Sequence, residues 1–456
     1  MINTSRPTAS LSKNAGTKNL ATLIDTCKAK IGIIGLGYVG LPLALATARA
    51  GYSVIGFDID AKRAAQINNG ESFLGHIPLS NMRDVIESGL FRATTDFSRL
   101  SEPDVLIICV PTPLTRHREP DLTFVTNTAD AIANHLRAPQ LIVLESTSYP
   151  GTTTEIVLPI LEATGLKSGE DFFLAFSPER EDPGNLDYTT TRIPKVVGGD
   201  GSTALSLAQS FYEKVVDIVV PVSSTEVAEA VKITENIFRA VNIALVNELK
   251  VIYAAMGIDI WEVIEAAKTK PFGFMPFYPG PGLGGHCIPI DPFYLTWKAR
   301  EYGLTTRFIE LSGEINTSMP KYIADCVAKL LDEKFQRGLN GSKILILGIS
   351  YKKNIDDIRE SPALELIDLF ESRGAIVEFH DALVPEIPPT REHASLAGRR
   401  STPLTSEILG SFAATLIVTD HDQVDYAKVA SHAQLVVDTR NICARLGIHG
   451  NNICKV

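Results

Sequence analysis

Apolar and polar positions recur along the chain with two periods, and these divide it into elements. Lys30 to Ile34 is a short apolar run ending at Gly35, Leu41 to Ala50 repeats its apolar positions at helical spacing, and Ser53 to Phe57 is a second apolar run. This order predicts a βαβ unit. Further runs at Val105–Val110, Leu141–Glu145 and Phe172–Phe176 are separated by stretches long enough for crossover helices, as a parallel, doubly wound sheet requires. A first α/β domain is expected over residues 28–220.

Behind Ser223-Ser224-Thr225-Glu226, which resembles a capping box, Val227, Val231, Phe238, Val241, Leu245, Leu249 and Ile252 recur at helical spacing. One long helix is expected, roughly 40 Å at ~1.5 Å per residue. It lies in an all-helical middle domain, 221–335, that suits dimerisation. A second set of strands, Lys343–Gly348, Ala375–His380, Ala414–Thr419 and Leu435–Asp438, again alternates with helical stretches and predicts a third domain over 336–456. The fold class expected is α/β: two Rossmann-like doubly wound domains joined by a long central helix. Residues 1–27 are polar, with neither the apolar stretch of a secretion signal nor the arginines of an organelle presequence, and read as a tail or a short leading helix.

Bulk properties narrow the function. A chain of 456 residues outgrows a single core, and 45% hydrophobic with 21% charged residues is ordinary globular composition. No apolar run approaches the ~18 residues that cross a bilayer, so a soluble protein is expected. The net charge of -10 disfavours nonspecific nucleic-acid binding, so an anionic ligand must find its cations locally. Cysteines 27, 109, 287, 326, 443 and 454 show no CxxC spacing, which argues against a zinc site and a disulfide framework and fits a reducing cytoplasm.

The candidate chemistry sits at strand ends and in one glycine loop. Gly35-Leu36-Gly37-Tyr38-Val39-Gly40 follows a strand and opens a helix, so its glycines allow a tight turn and close approach of a pyrophosphate to the helix N-terminus. Asp58 ends the next strand, where a carboxylate accepts ribose hydroxyls and repels a 2′-phosphate; NAD is expected over NADP, with Arg63 nearby weighing slightly the other way. Cys287 lies in Pro279-Gly280-Pro281-Gly282-Leu283-Gly284-Gly285-His286-Cys287-Ile288-Pro289-Ile290-Asp291, a setting for a nucleophile as well as for a small buried side chain. Lys232 and Asn236, four apart, share one helix face, which on spacing alone reads as a solvated surface before it reads as a site. The same two readings hold for Ser177-Pro178-Glu179-Arg180-Glu181-Asp182, for the loop Ser350 to Pro362 and for Asp438-Thr439-Arg440-Asn441.

In this order, GLGYVGLPLA, VPTPL, ESTSYPGTT, SPERE, the Lys232/Asn236 helix, GGHCIPIDP and YKKNIDDIRESP resemble the UDP-glucose/GDP-mannose dehydrogenase family from about residue 30 to the C-terminus. The resemblance implies that the first domain binds NAD through the glycine loop Gly35, Gly37, Tyr38, Val39 and Gly40 with Asp58, Arg63 and Thr112, and that Arg359 reaches NAD from the third domain. It implies Lys352 and Arg440 at the nucleotide of a UDP-sugar, and Tyr278, Gly284 and Gly285 along the sugar and its phosphates. Cys287 becomes the nucleophile, Lys232 and Asn236 oxyanion stabilisers, Asp291 and Thr147 the holders of a water, and Glu179 the general base for thioester hydrolysis. Ile290 stands where UDP-glucose dehydrogenases usually carry Lys, so the segment looks like the branch acting on N-acetylated hexosamines, and UDP-N-acetyl-D-glucosamine is the substrate expected, with UDP-N-acetylgalactosamine, UDP-N-acetylmannosamine and UDP-glucose as alternatives on the same chemistry. A homodimer or higher homo-oligomer without metal, membrane or nucleic-acid partner is implied. The rival readings are a noncatalytic nucleotide-sugar sensor and a two-electron hydroxy-acid dehydrogenase, the latter having no use for Cys287 or a second Rossmann-like domain.

Overall fold

A computed structural model describes residues 8–72, 79–115, 119–180, 190–285, 288–390 and 392–456. The chain divides into two compact units, Met1–Glu235 with Phe293–Leu304, and Asn236–Pro292 with Thr305–Val456.

The first unit is built on an eight-stranded sheet: β1 (Lys30–Ile34), β2 (Ser53–Phe57), β3 (Phe91–Thr94), β4 (Val105–Ile108), β5 (Gln140–Leu144), β6 (Phe172–Phe176), β7 (Lys195–Gly199) and β8 (Val219–Val222). Their order is β3-β2-β1-β4-β5-β6-β7-β8, every pair parallel except β6 with β7. The order reverses beside β1, where a doubly wound sheet opens a crevice at its carboxyl ends. Helices cover both faces, so β4, β5 and β6 are buried throughout and read in sequence as unbroken apolar runs. The leading segment forms a helix, Thr8–Asp25, whose Leu20 and Ile24 are buried in the same core; the Tyr52 hydroxyl donates to the Ile24 carbonyl at 2.8 Å.

Four strands lack a sequence signal of their own. β3 alternates buried and exposed residues over only four positions, β7 ends in a glycine pair, β8 carries Pro221, and β13 (Ile453–Lys455) is three residues long. Expected strands also stop early: β4 ends at Ile108 and β5 at Leu144, because the following residues turn into the loops at the carboxyl edge.

The second unit carries β9 (Lys343–Leu347), β10 (Ile376–His380), β11 (Ala414–Ile417), β12 (Val436–Asp438) and β13 in the order β10-β9-β11-β12-β13, all parallel. Two long helices belong to the middle of the chain, Thr225–Ala255 and Arg307–Phe335. The first is capped one residue later than the sequence pattern implies: Ser224 Oγ, rather than Ser223, accepts the Val227 amide, at 3.3 Å. Glu226 turns instead to the Thr154 hydroxyl at 2.8 Å. One turn on, the buried Glu229 carboxylate accepts the amides of Gly151 (2.6 Å) and Thr153 (2.8 Å) and the Thr153 hydroxyl (2.6 Å). Burial nevertheless pushes its pKa up to about 7.

The helix Thr225–Ala255 reverses the usual binary pattern. Lys232, Asn236, Asn247 and Lys250 are buried, whereas Phe238, Leu245 and Ile252 of the apolar stripe are 49%, 50% and 46% exposed. Most of the buried polar groups have partners, as where Asn247 Nδ2 donates to Asn316 Oδ1 at 2.9 Å. No helix among the described residues is long and apolar enough to cross a membrane.

Candidate active site

At the switch point of the first sheet each glycine answers a different constraint. Gly35 has φ +91°, and a Cβ there would lie 2.7 Å from the Cys109 carbonyl oxygen. A Cβ on Gly40 would run into the Gly35 carbonyl, so this glycine sets how closely the helix Gly40–Arg49 approaches β1. Gly37 has nothing within 4 Å of its Cβ position and lies open. Tyr38 and Val39, both half-buried, carry the turn into the helix.

Asp58 is buried immediately after β2. Its Oδ2 accepts the Leu36 amide at 2.9 Å and its Oδ1 the Asp60 amide at 2.9 Å, so the carboxylate is fixed against the glycine turn. Arg63 Nη1 reaches Oδ2 at 3.2 Å, which directs that guanidinium toward a protein carboxylate. An open Gly37 beside a fixed carboxylate fits a dinucleotide whose ribose hydroxyls need an acceptor. Thr112 is buried in the loop after β4, its carbonyl accepting the Tyr294 hydroxyl at 2.7 Å. Ser146 Oγ donates to the Val110 carbonyl at 2.7 Å, tying that loop to the one after β5, which carries the partly buried Thr147.

Lys232 and Glu179 come together in the first unit. The Lys232 ammonium donates to the Glu179 backbone carbonyl and lies 3.3 Å from its Oε2, with both residues buried. A solvated helix surface is therefore excluded for Lys232, and removing either partner would leave a buried charge at a cost of about 3–5 kcal/mol. The adjacent Arg180 is engaged elsewhere, pairing with Glu235 at 2.5 Å and donating to the Pro194 carbonyl at 2.6 Å.

In the second unit Asn236 Nδ2 donates to Asp291 Oδ2 at 2.5 Å, again with both residues buried. Cys287 and His286 lie outside the described residues. The glycines leading to them pack on the loop after β9. Gly285, at φ +84°, donates its amide to the Arg359 carbonyl at 3.0 Å, and Cβ atoms on Gly284 and Gly285 would lie 2.5 and 2.8 Å from the Tyr351 side chain. Lys352 follows Tyr351 on that loop, and the Arg359 guanidinium closes on the Asp357 carboxylate, Nη2 to Oδ2 at 2.6 Å. Arg440 follows β12, with Nε donating to the Val418 carbonyl at 2.7 Å. Tyr278 stacks on Trp261, centroids 5.7 Å apart, and donates to Glu265 at 2.8 Å.

Sequence reasoning missed two features of this unit. Asp381, just after β10, accepts the amides of Ile349 (2.7 Å) and Ser350 (3.2 Å) and is joined by the buried His421 at 3.1 Å. The sign was present: Phe379-His380-Asp381 closes a strand as Gly56-Phe57-Asp58 does. Lys250, assigned no role from the sequence, is buried.

The chain matches three models of the UDP-glucose/GDP-mannose dehydrogenase family: the NAD binding domain over residues 29–216, the central domain over 226–318 and the UDP binding domain over 345–445. It is 33% identical over 396 residues to a UDP-N-acetyl-D-glucosamine 6-dehydrogenase of Pseudomonas aeruginosa, covering 86% of this chain and 91% of that protein. It is also 33% identical over 420 residues to a UDP-N-acetyl-D-mannosamine dehydrogenase of Pyrococcus horikoshii, 91% and 96% of the two chains. A solved UDP-D-ManNAc dehydrogenase structure from Pyrococcus horikoshii superposes with TM-score 0.83 at 31% identity, over 94% of this chain and 99% of that one. The protein belongs to the UDP-glucose/GDP-mannose dehydrogenase family and is an NAD-dependent nucleotide-sugar dehydrogenase.

Proposed function

We propose that the chain oxidises the C6 primary alcohol of UDP-N-acetyl-D-glucosamine to the carboxylate, a four-electron oxidation through a covalent intermediate on Cys287, for surface-polysaccharide synthesis. The observation that carries the chemistry is the buried Lys232 ammonium against Glu179. A cation kept from water in this way is suited to stabilising an oxyanion.

Bound NAD⁺ supplies the hydride acceptor, two equivalents per sugar. Gly35, Gly37, Tyr38, Val39, Gly40, Thr112, Asp58 and Arg63 hold the cofactor, and Arg359 contributes from the last domain. Lys352 and Arg440 hold the nucleotide, while Tyr278, Gly284 and Gly285 lie along the sugar and its phosphates. Once the alcohol has become an aldehyde, the Cys287 thiolate adds to it, and Lys232 with the Asn236 amide stabilises the oxygen of the thiohemiacetal. Oxidation of that adduct gives a thioester. A water held by Asp291 and Thr147, activated by Glu179, hydrolyses it to the acid and frees the thiol.

The N-acetylglucosamine assignment is supported by Ile290, a buried residue that cannot supply the charge of a lysine, and by relatives named for that substrate. Relatives named for UDP-N-acetyl-D-mannosamine support the second reading, the same chemistry on that sugar. The exposed Phe238, Leu245 and Ile252 support a homodimer.

Counting NADH per sugar with each UDP-sugar tests the proposal. Two NADH per sugar, fastest with UDP-N-acetyl-D-glucosamine, is expected, and Cys287→Ser is expected to abolish uronate formation while NAD still binds. Undiminished uronate from that variant would overturn the covalent route.

A further inference from the structure

Lys250 sits on the inward face of the helix Thr225–Ala255, one turn beyond Asn247, and is 4% exposed. Its ammonium has no hydrogen-bond partner among the described residues. Asn247 fixes the neighbouring backbone, its Oδ1 accepting the Gly280 amide at 3.0 Å. Gly280 in turn abuts Arg440, whose Nη1 would lie 2.7 Å from a Cβ at that position. Arg440 uses its amide on Asp438 and its Nε on Val418, and no acceptor for its Nη1 or Nη2 is found among the described residues.

The nearby carboxylates are engaged elsewhere. Asp438 accepts the Arg440 and Cys443 amides, and Asp420 pairs with Arg445 at 3.0 Å. From the helix Arg307–Phe335 the group nearest Lys250 is Cys326, beside Tyr322, and its thiol is pushed up by burial. Two cations thus stand together at the carboxyl end of β12, where ligands of a parallel sheet bind, with no acid paired to either side chain among the described residues. Burial, with Arg440 adding to it, pushes Lys250 down to about 7. A lysine kept buried and unpaired costs stability unless something absent from the chain itself compensates it.

We propose that Lys250 and Arg440 form a two-cation clamp on the diphosphate of the nucleotide-sugar, with Lys250 the specific contact to a phosphate oxygen. This rests on the placement of Arg440 at the substrate nucleotide made above. A point-charge ammonium on a flexible stem beside a planar guanidinium suits a diphosphate, offering donors to both phosphates. The ligand also restores the full charge of Lys250, so binding above about pH 7 takes up a proton.

The test is calorimetric titration of UDP, UMP and uridine into the NAD-free protein, its Lys250→Met and Lys250→Arg variants, in two buffers of different ionisation enthalpy. Lys250→Met is expected to weaken UDP at least about thirtyfold, to leave uridine unchanged and to abolish the proton uptake. Lys250→Arg should retain most of the UDP affinity. Thermal melts check that Lys250→Met folds, and its ligand-free Tm should rise while the UDP-induced increase shrinks. UDP bound by Lys250→Met within about twofold of the parent overturns the clamp. An equal loss for uridine overturns the phosphate assignment. Failure of the parent to bind UDP or uridine at all refutes the placement of the nucleotide at Arg440 instead.

Discussion

After β2 the Asp58 carboxylate accepts the amide of Leu36, the residue following Gly35; after β10 the Asp381 carboxylate accepts the amide of Ile349, the residue following Gly348. Both glycines have positive φ, +91° and +80°. Each carboxylate uses its other oxygen on amides downstream: Asp60 for Asp58, Leu383 and Val384 for Asp381. The difference lies in what covers the acid. Asp58 meets the partly exposed Arg63 beside the open Gly37, whereas Asp381 is sealed by His421, both side chains fully buried. The Asn354 amide donates to His421 Nδ1 at 3.0 Å, which leaves the proton on Nε2, facing Asp381 and the Ser350 hydroxyl. Both contacts fall on one nitrogen, so this Ser, His and Asp cannot act as a hydrolytic relay, which needs the acid and the hydroxyl on opposite nitrogens. The same backbone clamp thus serves an acid bordering an open glycine turn in one sheet and a structural knot in the other.

Paired substitutions sharpen the contrast. Asp381→Ala strands five donors, including His421, and should cost about 3–5 kcal/mol, read as a lowered urea midpoint with NAD affinity unchanged. Asp58→Ala should cost only about 1–2 kcal/mol but weaken NAD roughly ten- to hundredfold. If NAD bound Asp58→Ala normally, the ribose assignment would fall.

The glycines give a smaller effect in the same pattern. Gly348→Ala forces a left-handed residue against Thr419 and should destabilise by about 1–3 kcal/mol without touching NAD. Gly37→Ala meets no protein atom, so stability should hold within about 0.5 kcal/mol while the NAD KM rises. Equal stability losses in the two variants would erase the distinction between open and sealed turns.

The smallest effect is electrostatic. Burial pushes the Asp381 carboxyl up, but the hydrogen bond from His421, with those from the backbone amides, outweighs it and holds the group below its usual range. A depressed carboxyl contributes stability above its unfolded value of ~3.9 and loses it as pH falls through the folded value. Urea midpoints followed from about pH 6 to pH 3 should therefore fall less steeply in Asp381→Asn than in the parent. A parallel pair of slopes would remove Asp381 from the acid response.

The strands and the glycine turn were legible because their causes are local. Strands buried on both faces must be apolar throughout, and a turn that crosses the helix N-terminus must contain glycines where a Cβ has no room, so β1, β2, β4 to β6, β9, β11 and β12 announced themselves, and β10 did so by alternation. β3, β7, β8 and β13 did not: β3, β8 and β13 are short strands at sheet edges, held by one neighbour's ladder more than by their own side chains, and β7 ends in a glycine pair. Lys232 was legible as one face of a helix but not as buried, since spacing alone does not tell a solvated face from one closed by Glu179.

What the amino-acid order determined by itself is the sequence of βα units, the two turns, the long helix and the residue types available for chemistry. These follow from backbone sterics and from the apolar period within a few residues. Only the tertiary structure decided that the helix buries its polar face, that Asp58 borders an open glycine turn while His421 seals Asp381, and that Lys250 lies beside Arg440 with no hydrogen-bonded acid among the described residues. Each of these depends on groups tens or hundreds of residues apart, and burial, which sets the energy of a charge, is a property of the packed chain rather than of any segment.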